Sequence, residues 1–127
     1  MKRNVWLVAD NIVSPLGINT SENYTHVQQG KTGIRQWNLP QLSKEPLFVS
    51  YIESLEHPDA KRLSRLETLS MMSLTDALRE LKLPVSRTVF IFSTTKGNID
   101  LLAHNRENTG RLSLYDTALF LNNSLGY

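Results

Sequence analysis

Gly30-Lys31-Thr32 has the residue types of a phosphate cradle: a glycine to let backbone amides approach, a lysine for charge and a hydroxyl for a metal ion. Such a loop needs a second glycine five positions earlier, and Thr25 stands there. The order of elements is also inverted. Gly30 follows a helical pattern, whereas a phosphate cradle precedes a helix and uses its free amides. The segment therefore reads as a helix cap followed by an exposed loop. His26, His57 and His104 have no metal-ligand spacing among themselves, and no cysteine completes a set. No Gly-x-Ser-x-Gly elbow supports a serine nucleophile. We expect no metal, no cofactor and no catalytic role for any of the three histidines.

The better candidate is Thr94-Thr95-Lys96-Gly97-Asn98. It lies where an apolar strand pattern ends and a helical one begins, which is where open α/β sheets bind ligands. Thr95, Lys96, Gly97 and Asn98 are accordingly the expected substrate-binding residues. A plain strand-to-helix turn with Lys96 in solvent is the competing reading, since every α/β domain contains such turns.

The elements that must position these residues are legible from pattern. Residues 4–13 are rich in Val, Ile and Trp and read as a strand buried on both faces. Ser14-Pro15-Leu16-Gly17 has turn chemistry, and Asn19 with Glu22 caps an expected helix over 20–29, closed by a left-handed Gly30. Between Thr32 and Pro58 the prolines at 40, 46 and 58 argue for loop, with one short edge strand over Leu47–Ile52. The strongest helical signal spans Ser64 to Leu83, with a Ser64/Glu67 capping box and Pro84 as its stop. One face of that helix presents Met71, Leu74, Leu78 and Leu81, and another presents the small residues Ser70, Ser73 and Ala77. Thr88–Thr94 is β-branched and aromatic throughout and reads as the clearest strand. A turn at Gly97 then leads into a helix with Asn98 as its cap and Asp100 in its first turn, a polar break covers Asn105–Gly110, and a last helix runs over Ser113–Leu125. Alternating strands and helices imply a parallel sheet with covering helices, an α/β fold.

Composition narrows the function classes. The chain has 127 residues, room for one domain with a core, and shows no internal repeat. Fourteen Lys and Arg balance twelve Asp and Glu, and the charges are scattered, so no nucleic-acid partner is expected. The basic start Met1-Lys2-Arg3 is followed by an apolar run too short for a signal peptide, and no stretch approaches the length of a membrane helix. A cytoplasmic protein without a membrane partner is the expectation, and the three Asn-x-Ser/Thr sequons then have no role.

Three segments together resemble the opening of a β-ketoacyl-[acyl-carrier-protein] synthase of the thiolase superfamily. Val5 to Gly17 looks like the family's first strand, which commonly ends in Val-Ser-Pro-Leu-Gly. Gly30-Lys31-Thr32-Gly33-Ile34-Arg35 is similar to its Gly-Lys-Ser-Gly-Ile-Arg. Arg62-Leu63-Ser64-Arg65-Leu66 is similar to its Arg-Met-Asp-Arg-Phe, with Ser64 taking the capping role of the aspartate. A fourth segment departs from the family. Ser93-Thr94-Thr95-Lys96-Gly97-Asn98 stands where Ser-Thr-Gly-Ile-Gly-Gly is usual, and a lysine there is costly to bury beside an acyl pocket.

The resemblance covers about the first third of such an enzyme, and its cysteine nucleophile and two catalytic histidines match no residue of this sequence. It implies a partial thiolase-like fold: an incomplete N-terminal half, a mixed sheet with covering helices. It further implies a scaffold inactive on its own, acyl carrier protein as partner, and self-association or a homodimer. The intact enzyme would perform decarboxylative condensation through a cysteine thioester. Two rivals remain: a non-catalytic ketosynthase-like partner that binds carrier protein through basic residues, and an unrelated small α/β binding domain.

Overall fold

The computed structural model of the chain describes residues 4–53, 55–103 and 111–126. Its architecture is mixed α and β, with four helices and one two-stranded antiparallel sheet among the described residues. The chain divides into two compact units, Met1–Ser54 and Leu55–Tyr127. The histidine at 104 and the polar break read over 105–110 lie outside the described residues.

In the first unit, α1 spans Thr20–Gln28. It starts where Asn19 accepts from the Glu22 N–H at 2.9 Å, as the spacing predicts. It ends in a six-to-one capping turn: Lys31 N–H reaches His26 C=O at 3.0 Å and Gly30 N–H reaches Val27 C=O at 2.9 Å. That closure needs a left-handed residue, and Gly30 supplies it with φ 69°. Strands β1 (Ile34–Trp37) and β2 (Leu47–Ser50) then pair antiparallel, Ile34 opposite Ser50 and Trp37 opposite Leu47. The expected edge strand is thus present at β2, while β1 forms in a stretch where the sequence pattern argues for loop.

The second unit holds α2 (Arg65–Leu78), a 3-10 turn over Val85–Arg87, α3 (Ile99–Ala103) and α4 (Leu114–Ser124). The capping box of α2 forms as expected, but the helix stops five residues before Leu83. Beyond Leu78 the bonds tighten to three-residue closures, and Pro84 disfavours helical backbone at the residue before it. Helix α4 follows its sequence reading closely, capped by Ser113 and closed at Leu125. It packs against α2. Among the described residues the buried apolar side chains are Leu63, Leu101 and Leu121, all in this unit. No helix is long and apolar enough to cross a membrane among the described residues.

The two strands expected over 4–13 and 88–94 join no ladder, so the parallel sheet is not formed among the described residues. Both segments run without helix or strand pairing. Val5 and Leu7 are 94% and 85% exposed, the reverse of a strand buried on both faces. The physical reason is that β-propensity favours extended backbone, whereas a ladder also needs a neighbour whose N–H and C=O groups face it.

Candidate functional site

The second unit is organised around a buried polar cluster. Ser64 is the N-cap of α2 and Glu67 sits three residues on, one helical turn that puts both at the same end. The turn at Gly97 (φ 60°) delivers Asn98 to them, and the N-terminal turn of α4 delivers Thr117. Arg111 arrives from the segment preceding α4. Glu67 and Thr117 are completely buried, and Ser64 and Asn98 nearly so.

Glu67 is held by four donors. Its Oε1 accepts from Arg111 Nε at 2.6 Å and Asn98 Nδ2 at 3.1 Å; its Oε2 accepts from Ser64 N–H at 2.9 Å and Arg111 Nη2 at 3.2 Å. The Arg111 side chain is 19% exposed against 0% for Glu67, and its guanidinium lies 4.4 Å over the Phe120 ring. Asn98 Nδ2 also donates to Arg111 C=O at 2.8 Å and Thr117 Oγ1 at 2.9 Å, while its Oδ1 accepts from Ser64 Oγ at 2.6 Å. Asp100 completes the end of α2 by accepting from Arg65 N–H at 2.9 Å. Every donor that faces the buried carboxylate is matched, which is the condition for burying an ion pair without a large penalty.

This saturation defines the chemistry. Both Glu67 oxygens are occupied by two donors each, so no lone pair is presented to a substrate proton. The cluster is a fastener between α2, the 94–98 loop and α4. Beside it lies an open cavity of about 440 Å³ lined by His57, Arg62, Met71, Arg111 and Phe120. His57 Nδ1 there accepts from Asp59 N–H at 3.1 Å.

The first unit has a smaller counterpart in Asn23, buried on α1. Its Nδ2 donates to the carbonyls of Ile12 and Gly17, each at 3.0 Å, and of Asn19 at 2.8 Å, and its Oδ1 accepts from Ser14 Oγ. His26 Nδ1 donates to Leu16 C=O, which ties the same loop down from the next turn of the helix. Glycine is required at 17, where an added Cβ would fall 2.6 Å from Glu22 Cβ. At Gly33 it would fall 3.0 Å from Pro15 Cβ. The Ser-Pro-Leu-Gly turn and the Gly-Lys-Thr-Gly segment, distant in sequence, therefore lie against each other.

The four residues expected to bind substrate separate into two kinds. Thr95 and Lys96 are exposed and Gly97 is half-buried. Thr94 Oγ1 accepts from the N–H groups of Lys96 at 3.4 Å and Gly97 at 3.3 Å, closing the loop on itself. Asn98 is buried and its amide serves the cluster. Lys96 thus escapes the burial cost that its place in the sequence raised. Sequence reasoning missed Arg111 and Thr117 altogether, and it saw Glu67 only as a cap. A Glu in a capping box leaves one further carboxylate oxygen to satisfy, and that was the available signal. Among the described residues no group of three His, Asp or Glu side chains gathers as metal ligands.

The chain matches no family model, no curated protein and no solved structure.

Proposed function

We propose that this chain supplies the N-terminal scaffold of a β-ketoacyl-[acyl-carrier-protein] synthase and performs no condensation by itself. One observation carries the reading: each of the three ketosynthase-like segments does a packing job that its residue types are needed for. Gly17 stands where a Cβ would collide, Gly33 where one would sit tightly against Pro15, and Ser14 fastens the buried Asn23. Leu63 and Ser64 are buried in the second unit. The exposed apolar side chains of Val5, Trp6, Leu7, Val8, Val89 and Ile91 fit the same reading, because strands of a larger sheet lose their cover when their neighbours are elsewhere.

In the intact enzyme a cysteine would take the acyl group from the carrier protein, a malonyl unit would lose carbon dioxide, and the resulting carbanion would attack the thioester. This sequence has no cysteine, so its part is architectural. The loop of Thr95, Lys96, Gly97 and Asn98 would border the acyl pocket, with Lys96 directed to solvent and to an acidic carrier protein.

Reading the coding frame past Tyr127 tests the proposal. A continuing frame with a cysteine followed by two histidines is the expected result, and a stop codon at that point would overturn the enzyme reading. Titration of acyl carrier protein against the chain separates the rival. Micromolar binding together with a stop codon would make the protein a non-catalytic partner, the reading that exposed Lys96 favours. Condensation of malonyl and acyl thioesters by this chain alone would overturn both.

A further inference from the structure

We infer that the open cavity of the second unit is a binding site for a small monocarboxylate on an apolar body, its carboxylate received by Arg111 and Arg62. The cavity of about 440 Å³ has the size of a small-ligand site, and its lining residues, from His57 to Ser124, belong to one unit. Its wall is divided by chemistry. Leu63, Met71 and Phe120 make one part apolar, while Arg111, Arg62 and His57 bring donors to the other. Arg111 is fixed in place before any ligand arrives. Its Nε and Nη2 hold Glu67, and Nη2 also donates to Arg62 C=O at 3.2 Å. In the planar guanidinium Nη1 then lies on the edge away from Glu67, and it makes no hydrogen bond among the described residues. With the guanidinium 4.4 Å over the Phe120 ring, a placed donor stands beside an apolar surface. Such a donor receives an oxyanion without losing the rotamer freedom of a loose side chain.

The other polar groups set the ligand class. Arg62 is exposed, and its guanidinium has no ion pair or hydrogen bond among the described residues. His57 Nδ1 accepts from Asp59 N–H, so in the neutral ring Nε2 carries the proton and is a third donor. A cation would meet only Asp59 against these three. Charge also limits the anion. Glu67 neutralises Arg111, and Asp59 on the same wall opposes Arg62, so no surplus positive charge is left for a dianion such as a phosphate monoester. A carboxylate has one charge and two coplanar oxygens, which suits guanidinium donors, and the apolar wall takes the body that carries it. The inference goes beyond the scaffold reading, since binding here requires neither carrier protein nor condensation.

The probe is naphthoate, titrated into the isotope-labelled full chain and followed by amide, arginine Nε–H and methionine methyl resonances. Saturable shifts at Arg62, Arg111 and Met71 with a Kd of about 1 mM are expected for a ligand of this size. Naphthyl phosphate and naphthylmethylamine are expected to bind at least about fivefold more weakly. Arg62→Ala removes an exposed side chain and should weaken naphthoate about tenfold with unchanged circular dichroism. Met71→Trp fills the apolar wall and should abolish binding, while Lys61→Ala, exposed and outside the lining, should leave it unchanged. Amine or phosphate binding as tightly as the carboxylate would overturn the assigned charge. Shifts confined to the exposed apolar side chains at 5–8 and 89–91, a Kd that neither Arg62→Ala nor Met71→Trp moves, or no saturation below about 10 mM would overturn the site itself.

Discussion

Glu67→Gln distinguishes a helix cap from a buried ion pair. Glutamine serves a capping box almost as well as glutamate, so if Glu67 only closed the end of α2 the change would be close to neutral. The cluster forbids that outcome. Each carboxylate oxygen faces two donors: Arg111 Nε and Asn98 Nδ2 on one, Ser64 N–H and Arg111 Nη2 on the other. Whichever way the new amide turns, its NH2 group meets two donors, which lose their acceptor while two amide hydrogens find none. A hydrogen bond to a charged group contributes about 1.5–3 kcal/mol, and breaking a buried pair costs about 3–5 kcal/mol. Arg111 retains some access to water, which places the expected loss at the lower end, about 3 kcal/mol.

Urea unfolding followed by far-ultraviolet circular dichroism reads the loss as a shift in midpoint at constant slope. Arg79→Ala is the control on the same helix. Its ion pair with Asp76 is exposed, Arg79 at 72%, and such pairs contribute about 0.5 kcal/mol or less. If Glu67→Gln lost under about 1 kcal/mol, or no more than Arg79→Ala, the buried pair would not be the fastener described above.

Asn23→Ala should cost about 2–3 kcal/mol, because three backbone carbonyls and the Ser14 hydroxyl lose their partner in one step; amide exchange over residues 12–19 is the sensitive readout. Gly17→Ala should destabilise more than Gly30→Ala. The second costs only the left-handed backbone of Gly30, about 1–2 kcal/mol with open space around it, whereas the first drives a Cβ into Glu22, and thermal melts of the two variants rank them. Lys96→Ala should leave the melting temperature unchanged and weaken any carrier-protein binding, while Asn98→Ala, two residues on, should lower the melting temperature by several degrees.

The parts of the fold that were legible in the sequence are those settled within a helical turn or a tight turn. Asn19 with Glu22 and Ser64 with Glu67 each stand three residues apart, so the cap and its partner are read together. The glycine at 30 was equally visible. Strand β1 was not: Ile34-Arg35-Gln36-Trp37 has no period-two pattern, three of the four residues are exposed, and its extended state comes from pairing with β2. The segments at 4–13 and 88–94 show the converse, strong strand formers that join no ladder.

Sequence alone determined where helices begin, which turns need glycine, and that no cysteine chemistry is available to this chain. Only the tertiary structure decided that Asn98, expected at a ligand pocket, is spent on Glu67 across 31 residues, and that Arg111 closes the pair across 44. Capping bonds form between groups that the chain cannot keep apart, so their geometry follows from spacing. A buried ion pair or a ladder forms between groups that loop closure must first bring together, and which of many candidates meet is set by the packing of whole helices.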